Sequence, residues 1–378
     1  MSDQIPFHIQ EDIIKRLPVK PLIQFRSVSK AWKSLIDSSE FIAAHSALHT
    51  HPQHLLVKYE DLVETEDKYV SFIDDESLLQ QRFVPFVPLS VKSLKESIIV
   101  GSDHGLLCLY GFHWGPGNSH RNLNYSSTVL WNPSVRKSIV VDMPYILCSG
   151  EETRVGFGVC PITNDPKIVE ITELRFWVDK ESEISKPWKV KVYTLSSGKW
   201  RNVSSNLPNR SIRVRWSQVV IDRFIYWRAF QKSTIHTRNL IISFDITDEN
   251  FRVVDLPDSL AEHSQTELSV CKLRESLAML QYRTDIGKHV CVVWMMEHGV
   301  QRSFTKLFSI SAPHGSMTIL GFRKSGQPII EVKDDLSELS DLAVYEPNSE
   351  VQINDLEICG RNNLFSVNSY METLLLLV

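Results

Sequence analysis

Four histidines, His45, His49, His51 and His54, form the one metal-like cluster of the sequence, and His45 and His49 have the i, i+4 spacing with which a helix presents two imidazoles to zinc. No cysteine or carboxylate lies inside the cluster, and the segment is the exit of a helical N-terminal region. A metal-free exposed stretch is the stronger reading. Ser27-Val-Ser-Lys30 satisfies a Ser-x-x-Lys nucleophile pattern. Ser27 and Ser29, however, are placed to cap a helix, with Lys30 facing solvent. Gly156-Phe-Gly158 leads into a strand and Pro161 and lacks the further glycine and helix of a phosphate loop. Asp74-Asp75-Glu76, Glu151-Glu152 and Asp334-Asp335 are neighbours in sequence, whose side chains point apart and cannot flank a scissile bond. No catalytic residue, metal site or cofactor is expected.

Recognition is the chemistry these residues suit better. Residues 201–238 hold Arg201, Arg210, Arg213, Arg215, Arg223, Arg228, Lys232 and Arg238 against Asp222 alone, whereas residues 58–76 hold eight acids against two lysines. Arg210, Arg213 and Arg215 share one expected loop. Lys232, His236 and Arg238 share the next, beside Trp177 and Trp188 of the neighbouring repeat. Arg and Trp are over-represented where interfaces concentrate their energy. The set reads either as a binding site for an acidic or phosphorylated protein, with His113, Trp114 and Arg121 as further candidates, or as a solvated basic rim with the tryptophans buried.

Those residues hang on a β-rich body. Beyond residue 51 short β-rich runs alternate with Gly, Pro, Asn, Asp and Ser clusters. One unit recurs: an apolar strand ending in an aromatic, a polar turn, and a second strand. With Trp131, Tyr193, Phe244, Trp294 and Tyr345 as anchors, the spacings are 62, 51, 50 and 51. A period near 50 matches kelch-like propeller blades. Adding the hairpin before each unit gives four antiparallel strands per repeat and five repeats from about 98 to 358. Runs at Leu55-Leu56-Val57, 69–73 and 83–86 supply a sixth, with Leu374 to Val378 as the expected closing strand. Coincidentally spaced hairpins in a sandwich are the alternative. Turns joining first to second and third to fourth strands look tight, as at Asp222-Arg223, 196–198 and 247–249. The long segments 111–127, 176–189, 229–239, 145–154, 204–216 and 257–267 then gather on one face.

The N-terminal 45 residues follow a helical period instead. Ile9, Ile13, Ile14 and Leu17 fall at i, i+4, i+5 and i+8 on a helix entered through Pro6 and stopped at Pro18. Pro21 is placed to start a second helix with Leu22, Ile23 and Phe25, and Ser29 to cap a third with Trp32, Leu35 and Ile36. Three such helices cannot build a core of their own, so their apolar residues call for a partner.

Composition narrows the class. A chain of 378 residues with 43% hydrophobic residues is built for a small module plus a large domain, not for disorder. A net charge of −4 argues against a general nucleic-acid binder. Six scattered cysteines without a Cys-x-x-Cys pair suit a reducing compartment, and no signal or membrane-spanning run is visible, so a cytoplasmic or nuclear location is expected.

Arg16-Leu17-Pro18-Val19-Lys20, Phe25-Arg26, Val28-Ser29-Lys30-Ala31-Trp32 and Ser34-Leu35-Ile36 closely resemble the plant F-box. Gly101-Ser102, Gly105 to Leu109, Leu130-Trp131-Asn132-Pro133, Gly156-Phe157-Gly158, Asn164 to Lys167, Ser243-Phe244-Asp245, Leu256-Pro257 and Val293-Trp294-Met295, in that order, resemble the F-box-associated domain of the same proteins. Two departures stand at the start: the family's Leu-Pro is Ile5-Pro6, and its acidic residues are replaced by Phe7 and His8. The resemblance implies a Skp-type adaptor bound through Ile5, Pro6, Ile9, Ile13, Ile14, Leu17, Pro18, Leu22 and Trp32, and through it a cullin scaffold and a RING subunit.

The expected architecture is mainly β: a three-helix F-box over 1–50, then a kelch-like propeller of about six four-stranded blades over 51–378. The expected role is the non-catalytic substrate receptor of a Skp–cullin–F-box ubiquitin ligase, with no nucleic-acid or membrane partner. A propeller acting outside any ligase is the alternative. An enzyme ranks third, because copper oxidases of kelch type need His and Tyr in register on the inner strands and none recurs there.

Overall fold

The computed structural model describes residues 5–46, 53–75, 82–114, 123–144, 151–174, 186–204, 206–232, 237–262, 267–297, 303–312, 315–333, 337–346 and 353–376. Four helices come first: α1 (Phe7–Ile14), α2 (Val19–Phe25), α3 (Lys30–Ile36) and α4 (Ser39–Ser46). The strands follow as β1 (Gln53–Glu60), β2 (Asp67–Ile73), β3 (Arg82–Phe83), β4 (Lys95–Asp103), β5 (Leu106–Trp114), β6 (Leu123–Asn132), β7 (Lys137–Asp142), β8 (Glu151–Val159) and β9 (Pro166–Leu174). Next are β10 (Lys189–Thr194), β11 (Lys199–Val203), β12 (Ile212–Ile221), β13 (Phe224–Lys232), β14 (Thr237–Asp245), β15 (Phe251–Asp255), β16 (Leu268–Leu273) and β17 (Ser276–Asp285). The remainder are β18 (Lys288–Met296), β19 (Phe304–Ser311), β20 (Ser316–Phe322), β21 (Pro328–Lys333), β22 (Leu339–Tyr345), β23 (Ile353–Arg361) and β24 (Ser366–Met371).

They form six four-stranded sheets, the blades of a β-propeller. Five sheets are consecutive meanders, β4 to β7, β8 to β11, β12 to β15, β16 to β19 and β20 to β23. The sixth has the order β24-β1-β2-β3 and so joins early and late segments of the chain. Every repeat anchor, Trp131, Tyr193, Phe244, Trp294 and Tyr345, sits on the third strand of its blade. The sequence period is therefore the blade period.

The closing strand is Ser366–Met371, not Leu374 to Val378. Leu374 is fully buried instead against the helices and Val135. Strands also run further than the turn residues suggest, because β5, β12, β13 and β14 reach nine or ten residues. Arg213 and Arg215, expected in a loop, lie on β12.

The chain divides into two compact units, 1–56 with 69–143 and 369–378, and 57–68 with 144–368. In the first, Leu56, Tyr69, Leu107, Leu109, Val129, Trp131 and Tyr370 share one core. Asn132 ties the residues after β24 in place, its Nδ2 donating to the carbonyls of Thr373 at 3.0 Å and Leu375 at 2.8 Å. In the second unit, adjacent blades interlock through side chains that complete backbone ladders. Gln218 on β12 accepts from the Phe157 amide at 2.9 Å and donates to its carbonyl at 2.8 Å. Gly156 makes room for this approach, since a Cβ there would fall 2.2 Å from Cζ2 of fully buried Trp227. The Gly156-Phe-Gly158 pattern is thus a packing device between blades.

Candidate interaction surfaces

Short helices need help at their ends, and the N-terminal segment supplies it locally. Ser29 Oγ accepts from the Trp32 amide at 3.1 Å, and Ser38 Oγ from the Phe41 amide at 3.2 Å, so α3 and α4 each begin on a side-chain cap. The second helix starts at Val19 after Pro18, and Pro21 is accommodated in its first turn, where no amide donor is needed. Arg26 grips Asp37 with both branches of its guanidinium, at 2.6 and 2.8 Å.

The module's core contains Ile14, Val19, Leu22, Ile36, Phe41, Val135 and Leu374, with Leu17, Ile23, Phe25, Trp32 and Leu35 packed at its margin. The helices are thus completed by the turn after β6 and by the residues after β24. The expected apolar stripe divides. Ile14 and Leu22 are buried at 2% and 0%, whereas Ile5, Ile9 and Ile13 are 51%, 41% and 51% exposed, joined by Phe7 at 50%. Four large apolar side chains therefore face water from one short helix and the residues entering it. Pro6 caps α1 and Pro18 caps α2, and Trp32 lies edge-on to Phe25 at 5.0 Å.

His45 is spent on structure, buried with Nε2 3.0 Å from the Leu17 carbonyl oxygen. His54 is buried on β1, and burial pushes its imidazole down to about 4. His49 and His51 lie outside the described residues, among which no metal-binding group of three side chains occurs.

The basic residues of the second unit collect where β8 and β12 begin and β9 ends. Arg154 on β8 donates to Glu152 at 2.7 Å and to the Val214 carbonyl at 3.1 Å, stands 3.6 Å from Glu173, and stacks over Trp216 at 5.0 Å. Arg215 stacks over Phe230 at 5.2 Å. Burial, then the neighbouring Arg154, lowers the Arg215 pKa, and burial with Arg215 lowers Arg228 to about 10. Glu173 sits among them, bonded to the Val214 amide at 2.5 Å, yet burial still raises its carboxyl to about 7. The arrangement is an arginine-rich cluster around Glu152 and Glu173, in which Arg213 and Arg228 are buried and Arg154 and Arg215 are partly exposed.

The other candidates are dispersed. Arg210 is buried beside Glu151 at 3.3 Å, with Lys189 on the same carboxylate at 2.9 Å. Trp188 is buried at 1%, donates to the Ile212 carbonyl at 3.0 Å and meets Phe251 edge-on at 5.6 Å, so it is a core residue. Arg238 approaches Asp258 at 3.6 Å. His113 bonds Ser127 Oγ at 2.7 Å. Trp114 and Lys232 end β5 and β13, and Arg121, Trp177 and His236 lie outside the described residues. Sequence reasoning missed Arg154, Trp216 and Glu173, and named Arg228 only as one of the basic residues of 201–238. The available signal was Glu170 and Glu173 inside the apolar strand run Pro166–Leu174, since buried acids require donors nearby.

Comparison with known proteins agrees with this architecture. The family model for the F-box domain matches residues 2–43, and that for the F-box associated beta propeller domain matches residues 120–362. The chain is 26% identical over 363 residues to F-box protein CPR1 of Arabidopsis thaliana, covering 89% of this chain and 79% of that protein. It is 26% identical over 329 residues to the F-box/kelch-repeat protein At3g23880 of the same plant, covering 81% and 79%. A helical module with an exposed apolar helix, a six-bladed propeller whose repeats match the family model, and relatives spanning most of both chains lead to one assignment: this chain is a plant F-box protein of the F-box associated β-propeller family.

Proposed function

We propose that the protein is the substrate receptor of a Skp–cullin–F-box ubiquitin ligase, with α1 docking on the Skp-type adaptor and the propeller holding a target protein. A substrate-adaptor role is the general one for an F-box joined to this propeller, and it is non-catalytic: ubiquitin transfer belongs to other subunits. The observation carrying the adaptor contact is the exposure of Ile5, Phe7, Ile9 and Ile13 on a module whose interior is already filled by Ile14, Leu22 and Ile36. Such a surface costs solubility unless a partner covers it.

Target binding is assigned to the blade ends where Arg154, Arg213, Arg215 and Arg228 gather, chemistry suited to a carboxylate or phosphoryl group. The five described free cysteines, Cys108, Cys160, Cys271, Cys291 and Cys359, support a cytoplasmic or nuclear location. Affinity purification from plant cells under proteasome inhibition is the test. Co-purification of a Skp-type adaptor and a cullin supports the receptor role. Specific partners recovered without any adaptor would favour a propeller acting outside the ligase.

A further inference from the structure

Glu152 and Arg154 are two residues apart on β8, so both side chains stand on one face of the strand. Arg154 Nη2 donates to Glu152 Oε2 at 2.7 Å, Nη1 to the Thr153 carbonyl at 3.3 Å and Nε to the Val214 carbonyl at 3.1 Å. The guanidinium is also 3.6 Å from Glu173 and lies over the Trp216 ring. The neighbouring blade thus fixes its position, and each terminal nitrogen keeps an N–H beyond these bonds.

The two acids at Arg154 are not equivalent. Glu173 is 2% exposed and accepts from the Val214 amide, so it ties the two blades together. Glu152 is 26% exposed, and among the described residues its partner is Arg154. An ion pair so open to water contributes little, and its carboxylate turns away at small cost. Glu151, on the opposite face of β8, is by contrast held by both Lys189 and Arg210.

The next blade brings further charge to the same place. Between Val214 and Gln218 the register of β12 against β13 slips, so Arg215, Trp216 and Ser217 stand opposite Arg228 alone. Such a bulge takes side chains out of the strand's alternation, here setting Trp216 against Arg154 and Arg215 over Phe230. Arg154 is the neighbour that, after burial, lowers the Arg215 pKa, so the two guanidiniums repel each other. An anion between them relieves that repulsion. Glu152 supplies one negative charge, whereas a phosphoryl group supplies nearly two on three acceptor oxygens.

We propose that Glu152 is an internal stand-in for the target's anion and sets the specificity of the site: a phosphoryl group on the target displaces it from Arg154, with Arg215 alongside, and a target carboxylate does not. A glutamate or aspartate of the target only exchanges one carboxylate for another, against a competitor tethered two residues away. A phosphoryl group brings the extra charge and the fork-matching oxygens that make the exchange favourable. The proposal rests on this cluster being where the target binds.

The full chain is tested on immobilised random heptapeptides with phosphoserine, glutamate or glutamine fixed at the centre, with thermal melts of every variant alongside. The wild type retains the phosphoserine set about tenfold above the glutamate set, and glutamate no better than glutamine. Glu152→Gln, which removes the charge at constant size, raises glutamate retention and narrows that ratio to about threefold. Glu152→Ala does the same with no side chain left to compete. Arg154→Lys keeps the charge without the fork and lowers phosphoserine retention, and Arg154→Gln abolishes the difference between the sets. Equal retention of phosphoserine and glutamate by the wild type, or a ratio unmoved in both folded Glu152 variants, overturns the exchange, while dependence on Arg154 still upholds the cluster as the target site. Retention indifferent to both Arg154 variants, or none above glutamine, refutes the target site itself. Inorganic phosphate that competes as tightly as the phosphopeptides also overturns the proposal, because the site then holds the free ion and not a protein segment.

Discussion

Ile13 and Ile14 are adjacent in sequence and opposite in consequence. Ile13 is 51% exposed and Ile14 is 2% exposed. Replacing Ile13 with Asp removes an apolar side chain that the free protein leaves half in water, so the fold loses little. On the adaptor the same change is costly. Covering the remaining half of an isoleucine is worth about 1 kcal/mol, and an unpaired carboxylate desolvated in its place costs a further ~2–4 kcal/mol. The sum, about 3–5 kcal/mol, weakens adaptor binding by roughly two to three orders of magnitude or more. Ile14→Asp puts the charge into the helical core and unfolds the module, so binding is lost along with structure. Calorimetric titration with a purified Skp-type adaptor, beside thermal melts of both variants, separates the cases. An Ile13→Asp chain that melts normally and binds within about threefold of the wild type would refute the assignment of α1 as the docking helix. Leu17 serves this purpose less well, because it packs at the margin of the core.

Deleting Leu374 to Val378 leaves β24 intact but removes a fully buried leucine from the helical core; loss of adaptor binding with the propeller transition retained in a thermal melt is expected, whereas deletion from Ser366 also opens the sixth sheet. Gly156→Ala drives a methyl into Trp227 and should destabilise the second unit by about 1–3 kcal/mol, read as a lower denaturant midpoint. Glu170 is held up at about 7, chiefly by burial. Its folded-state pKa lies above its unfolded one, so the unfolded chain gives up this proton first and stability falls as pH rises from about 4.5 to about 7. Glu170→Gln should flatten that decline and exceed the wild type by up to about 3 kcal/mol at pH 8, checked by urea melts across the range.

The blade period was legible because one apolar strand ending in an aromatic recurs on the third strand of five of the six sheets, where burial on both faces enforces apolar runs. The tight turns were legible too, and Asp222, Glu249 and Gly198 have the positive φ such turns demand. Leu374 to Val378 misled for a physical reason. An apolar run reads alike whether it pairs in a sheet or docks under helices, and Leu374 does the latter. Arg213 and Arg215 read as loop residues because arginine in a strand leaves no turn signal to mark where the loop stops. The division between Ile13 and Ile14 was hidden for a similar reason, since Val135 and Leu374, which decide it, are remote in sequence.

That remoteness orders events during synthesis. Ile14, Leu22 and Ile36 leave the ribosome early, but Leu374, which completes their core, follows more than 300 residues later. Asn132 must likewise wait for the carbonyls of Thr373 and Leu375. A chain interrupted anywhere between carries every residue of the F-box and still lacks a finished platform beneath α1. On the receptor role proposed above, a chain that has not yet reached Leu374 offers an adaptor α1 on an unfinished core.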